Sequence, residues 1–257
     1  MSGRLEAELR AKRAAGRKLL VPYVTGGLRG WEEAIRAAAA SGADAVEIGI
    51  PFSDPVMDGP VIQAASQQAL DDGATPPAIL DAARHLDVGI PLVVMTYYNT
   101  VHHAGHERFA AQLEASGISG AIVPDLPLEE AGLWCLAADD AGVETVLLAA
   151  PTAPDERLPR ICARARGFVY SVGLLGVTGE RKQLAATASA LAARLKAITD
   201  LPVLVGVGVS DAAQAAEAVL VADGVVQGAS VVRRLMEHGP DAVGDYVAEV
   251  RSALDRR

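Results

Sequence analysis

Eight short apolar runs, each followed by a stretch with helical spacing, predict an α/β fold. Its form is a single closed (β/α)8 barrel of the TIM type with an extra N-terminal helix. The length, 257 residues, is close to the roughly 250 typical of such barrels. The runs are nearly continuous in Val, Ile, Leu and Ala rather than alternating with polar residues. Strands of a parallel sheet, buried on both faces, read this way. No GxGxxG follows the first run, which argues against a doubly wound open sheet.

The elements follow in order. Residues 1–18 (MSGRLEAELRAKRAAGRK) are charged and helical in character, and they lack the apolar core of a signal peptide. The strands are read at residues 19–24 (LLVPYV), 45–50 (AVEIGI), 91–96 (PLVVMT), 120–123 (GAIV), 144–148 (ETVLL), 167–171 (GFVYS), 202–207 (PVLVGV) and 224–227 (GVVQ). Apolar residues at helix spacing mark 32–41, 61–71, 78–86, 107–116, 128–141, 157–165, 184–199, 212–221 and 239–254. Ser41-Gly42, Ser116-Gly117 and Ala141-Gly142 each close a helix just before a strand, as glycine does past a helix C-terminus. No Pro/Ser-rich linker divides the chain, so residues 1–257 read as one domain.

A hydrophobic share of 51% supports a large core, and the net charge of −9 argues against a nucleic-acid surface, which needs a basic patch. No apolar run approaches the roughly 18 residues of a membrane span. Cys135 and Cys162 fall in helical stretches without metal-ligand spacing and read as reduced, buried thiols. These features together predict a cytoplasmic protein.

Barrel enzymes place their chemistry at the C-terminal ends of the strands. The second run carries Glu47 inside an apolar strand, pointing either into the mouth or outward into the helix layer. Buried inward, its pKa would rise toward neutrality and suit proton transfer. Asp58 follows in a Pro/Gly-rich loop, where it is either a second acid with a different role or a cap ahead of Pro60. Tyr170 ends the sixth run and either faces the mouth or packs there. Gly-rich stretches follow the last three strands: Gly176-Val177-Thr178-Gly179, Gly206-Val207-Gly208 and Gly228-Ala229-Ser230, the last opening a helix. Such loops can hold a phosphate through backbone N–H groups. His102, His103 and His106 read as a solvated loop without a carboxylate frame for a metal. Ser53 has no His partner for a nucleophilic triad, and no lysine ends a strand to form a Schiff base.

The stretch Glu47-Ile-Gly-Ile-Pro-Phe-Ser-Asp-Pro-Val-Met-Asp58-Gly-Pro-Val-Ile-Gln63 resembles the signature of the tryptophan synthase α-chain family. Val21-Pro-Tyr-Val-Thr-Gly26, Met95-Thr-Tyr-Tyr-Asn99, Pro124-Asp-Leu-Pro-Leu-Glu129, Gly176-Val-Thr-Gly179 and Ala222-Asp-Gly224 follow in family order across essentially the whole chain. The resemblance implies a lyase that splits indole-3-glycerol phosphate into indole and glyceraldehyde 3-phosphate by a retro-aldol reaction. Glu47 would move protons at the indole C3 and the glycerol hydroxyl. Asp58 would hold the indole N–H, and Tyr170 would assist near the substrate. Thr178 would lie on a closing loop and bond Asp58. Gly179, Gly208 and Gly228, with Ala229 and Ser230 beside them, would cradle the phosphate. Phe52, Met95 and Leu126 would wall the indole pocket. Asp54 and Pro55 would face a partner β chain that carries pyridoxal phosphate in an α2β2 complex; this chain would carry no cofactor and no metal. A stand-alone lyase releasing indole, or an α-like subunit that mainly activates a β chain, are the alternative readings. Departures from the family are Leu28-Arg29 after the first strand, Gly173-Leu174-Leu175, Gln227, and Ala229 where a serine is usual. Loss of that hydroxyl would cost about 1 kcal/mol of phosphate binding unless Ser230 or Gln227 substitutes.

Overall fold

The computed structural model describes residues 3–173, 181–206 and 209–256. The strands β1 (Leu19–Thr25), β2 (Val46–Gly49), β3 (Leu92–Met95), β4 (Ile118–Ile122), β5 (Glu144–Ala149), β6 (Val169–Val172), β7 (Val203–Gly206) and β8 (Gly224–Gln227) lie in chain order. All pair in parallel, and β8 returns to β1 to close the barrel. Around them run α2 (Trp31–Ala40), α3 (Pro60–Asp71), α4 (Pro76–Ala83), α5 (Tyr98–Ala104), α6 (His106–Ala115), α7 (Gly132–Asp140), α8 (Arg157–Arg164), α9 (Arg181–Lys196), α10 (Ala212–Ala218), α11 (Ala229–His238) and α12 (Pro240–Asp255). The extra N-terminal helix is α1 (Arg4–Ala14). Gly42, Gly117 and Gly142 each turn the chain from helix to strand at a φ of 100°, 72° and 75°, a region where an L side chain is strained.

Two elements differ from the sequence reading. The histidine segment is helical, not a loop. It forms α5 and the start of α6, where the Tyr98 hydroxyl meets His106 Nε2 at 3.0 Å. Seven residues are too few to show a clear period, so the spacing gave no signal there. The helix expected from 128 starts only at Gly132, because residues 127–131 turn first, with Glu130 N–H donating to the Pro127 carbonyl at 3.0 Å.

Successive strand residues face opposite sides, and here both sides are apolar. Leu19, Val21, Val93, Ile122, Val146, Phe168, Tyr170, Leu204 and Val226 fill the barrel interior. Their neighbours Leu20, Val24, Val46, Ile48, Val94 and Ala121 pack outward against the helices. Leu5 and Leu9 of α1 join the interior cluster and plug the floor of the barrel. The first turn of α1 has no side-chain cap of its own. Glu144, at the start of β5, supplies one: it accepts from Leu5 N–H at 2.6 Å and Glu6 N–H at 3.0 Å. Two buried aspartates tie α1 down further. Asp44 accepts from Leu20 N–H at 2.9 Å and Arg17 Nε at 2.7 Å, and pairs with Arg251 at 3.3 Å. Asp223 accepts from Val203 N–H at 2.9 Å and pairs with Lys196 at 2.6 Å and Arg13 at 3.5 Å. The floor is therefore sealed, and the opposite end is left for chemistry.

Candidate active site

The register decides which way Glu47 points. It pairs with Tyr23 of β1 and Val93 of β3. Val93 is an interior residue, and so are Leu19 and Val21, which share the parity of Tyr23. Glu47 therefore faces into the barrel, one residue pair below the C-terminal end of β2. It is 1% exposed. Its Oε2 has no hydrogen-bond partner among the described residues. Burial pushes its pKa up to about 8, and the charge of Asp58 adds to the rise. Glu47 is thus a protonated acid at neutral pH that can lose its proton within the working range.

Asp58 stands in the loop between β2 and α3 and is half-buried. Burial raises its pKa, and the Tyr97 hydroxyl facing it pulls the value back. Tyr97 also fixes the loop: its hydroxyl accepts from Met57 N–H at 3.0 Å. Phe52 stacks on the Tyr97 ring with centroids 5.1 Å apart. The backbone entering the loop is anchored by Ile50 N–H, which donates to the Met95 carbonyl at 2.9 Å.

Two tyrosines cross the mouth over glycines of the neighbouring strand. The Tyr23 hydroxyl lies 1.8 Å from where a Cβ on Gly49 would stand, and the Tyr170 ring 2.2 Å from where a Cβ on Gly206 would stand. Both phenols are buried and raised above their ordinary range, chiefly by desolvation. Glu47 raises both further, and Asp58 acts on Tyr23. Glu47, Asp58, Tyr23 and Tyr170 are therefore one electrostatic cluster.

The structure thus brings together Glu47, Asp58 and Tyr170, all named from sequence, and adds Tyr23 and Tyr97. Tyr23 carried no directional signal, since an aromatic in the first apolar run fits either face of the strand. Tyr97 carried none beyond its place after the third strand. Met95 is half-buried at the end of β3 and touches both the interior and outer clusters. Leu126 is buried in the turn after β4. Asp54 is exposed, accepting from Ser53 Oγ at 2.6 Å, beside half-buried Pro55 and a Val56 that is 76% exposed. After β8, Gly228 is the N-cap of α11. The Val231 and Val232 amides donate back to its carbonyl at 2.9 and 3.0 Å. The amides of Ala229 and Ser230 stand ahead of them in the first turn, where no intrahelical acceptor exists. The Ser230 hydroxyl is not part of that cradle: it is buried and accepts from Tyr246 Oη at 3.1 Å. Gln227 is likewise buried. The Ser230 oxygen is engaged by Tyr246, and the Gln227 Nε2 is buried with no hydrogen-bond partner among the described residues. Thr178, Gly179 and Gly208 lie outside the described residues. Among the described residues no group of His, Cys, Asp or Glu could hold a metal ion.

A buried acid and a half-buried acid, under two tyrosines at the C-terminal mouth of a closed barrel, define an acid/base enzyme of the (β/α)8 class. The chain matches the family model for the tryptophan synthase alpha chain over residues 9–253. It is 45% identical to the tryptophan synthase alpha chain of Streptomyces coelicolor, covering 95% of this chain and 93% of that protein. It is 43% identical to that of Thermobifida fusca, covering 97% of each. Among solved structures, Mycobacterium tuberculosis tryptophan synthase superposes with a TM-score of 0.91 at 37% identity over 99% of both chains. The chain belongs to the tryptophan synthase α-chain family, whose lyase reaction in tryptophan biosynthesis cleaves indole-3-glycerol phosphate.

Proposed function

We propose that Glu47, Asp58 and Tyr170 carry this cleavage here, within one domain spanning the chain. The observation behind the proposal is Glu47: buried, inward-facing, unpartnered at Oε2 among the described residues and protonated at neutral pH. Its proton goes to the indole C3. The resulting cation is stabilised by Asp58, which accepts the indole N–H. The Glu47 carboxylate then removes the proton of the glycerol hydroxyl as the C–C bond breaks. The bonding pair returns to the ring, and indole and glyceraldehyde 3-phosphate leave. Glu47 ends protonated, so the cycle needs no net proton source. Phe52, Met95 and Leu126 wall the indole. The backbone of Gly228, Ala229 and Ser230 holds the phosphate at the start of α11.

The partner in this reading is a pyridoxal-phosphate β chain, met by the exposed loop carrying Asp54 and Pro55, and the compartment is the cytoplasm. Indole release from indole-3-glycerol phosphate, measured with and without a tryptophan synthase β chain, tests both claims. Slow release alone that rises steeply with the β chain is expected. No release in either case would overturn the reading of the site, and fast release indifferent to the β chain would overturn the partnership. Tyr170 has its own test. Gly206→Ala would force its ring out of place, and kcat is expected to fall by about tenfold or more. Unchanged turnover would remove Tyr170 from the mechanism.

A further inference from the structure

The Tyr23 hydroxyl fills the position that a side chain on Gly49 would take. Residues 47 and 49 face the same side of β2, so this position is the layer directly above Glu47 on the mouth side. The ring starts beneath the phosphate loop, with its Cβ 3.8 Å from where a Cβ on Gly228 would stand. The tyrosine thus spans from the loop after β8 to the acid on β2. A ligand anchored by phosphate at α11 and reacting at Glu47 must lie along it. Glu47 Oε2 is an acceptor with no partner among the described residues. A ligand hydroxyl is both donor and acceptor, so it can give its proton toward Oε2 while accepting from a phenol beside it.

We propose that Tyr23 is a substrate-contacting donor, bonding the glycerol hydroxyl whose proton Glu47 removes. The proposal rests on the lyase reading above. Burial beside two carboxylates keeps the phenol protonated throughout the working pH range, so it always has a proton to donate. As the C–C bond breaks, it fixes the hydroxyl oxygen that becomes the aldehyde oxygen, while the proton passes to Glu47. Tyr23 also selects for a hydroxylated chain, because a ligand without that hydroxyl forgoes the contact with the phenol and gives Oε2 no partner.

The test uses the full-length Glu47→Gln protein, with and without Tyr23→Phe, which keeps the ring over Gly49. Titration calorimetry with indole-3-glycerol phosphate and with 3-(indol-3-yl)propyl phosphate, which lacks the glycerol hydroxyls, reads the contact. Tyr23→Phe is expected to weaken the hydroxylated ligand about fivefold and leave the propyl compound unchanged. In the otherwise native protein it should lower kcat by about tenfold. Equal weakening of both ligands would reduce Tyr23 to a packing role and overturn the proposal, as would no weakening of either. Failure of the Glu47→Gln protein to bind either compound would overturn the lyase reading itself, and this inference with it.

Discussion

Replacing Glu47 with glutamine is expected to cut indole release by about a thousandfold and, at pH 8, to make the protein more stable. The first effect follows from removing the one group that both gives and takes the proton. The second follows from linkage. The carboxyl rises from 4.5 to about 8 on folding, because burial disfavours its charged form. Below pH 4.5 it is protonated in both states and costs nothing. Above that, the unfolded chain ionises while the native one holds its proton. The penalty on the folded state therefore grows up to about pH 8 and then levels off. Its ceiling is on the order of 5 kcal/mol. Glutamine does not titrate and removes it. The variant should melt at least about 5 °C above the parent at pH 8, and the two curves should converge near pH 5. An equal difference at both pH values would show that packing, not ionisation, set the change. No gain at pH 8 would show that Glu47 is not held protonated. The parent's kcat should decline as pH rises past about 8, when the acid form is lost.

Charge made Glu47 legible in the sequence, since a carboxylate inside an aliphatic run stands out. Its direction was not legible. In this barrel both faces of each strand are apolar, so Ala45, Val46 and Ile48 give no phase from which to tell inside from outside. Only the register against Tyr23 and Val93 settles it. Tyr23 was missed for the same reason: an aromatic in LLVPYV fits either face. The strands themselves were legible because continuous burial leaves a continuous aliphatic signature, and β8 begins and ends where the run does. Helix α5 was not, because its residues YNTVHHA bury only Val101. The glycines of the last loop pointed to the start of α11. The sequence could not tell that Ser230 turns its hydroxyl to Tyr246, because that depends on α12 packing behind it.

At the other end of the barrel, Asp44→Ala is expected to be the most destabilising single change to the floor. Asp44 is fully buried and binds three elements at once: the N–H of Leu20 at the start of β1, Arg17 behind α1, and Arg251 of α12. Lys12 adds a further ion pair at 3.3 Å. Alanine leaves the Leu20 N–H without this acceptor and the nearly buried Arg251 guanidinium without this carboxylate. Removing one partner of such a buried cluster typically costs about 3–5 kcal/mol, more than the pair itself contributes, because the remaining charge stays desolvated. For a chain of this size the melting temperature should fall by about 10 °C. Asp44→Asn keeps an oxygen for the Leu20 N–H and should lose less. Pairing Asp44→Leu with Arg251→Met removes both charges and should recover part of the loss, since an apolar pair avoids the desolvation cost. Indole release per folded molecule at 25 °C should stay within about twofold of the parent, because the mouth rests on strands that the floor only seals. A melting point within about 2 °C of the parent would mean that Leu5 and Leu9, not the ion cluster, hold α1 in place. A normal melting point with lost activity would mean that the floor and the mouth are coupled through β1, where Asp44 grips Leu20 three residues before Tyr23.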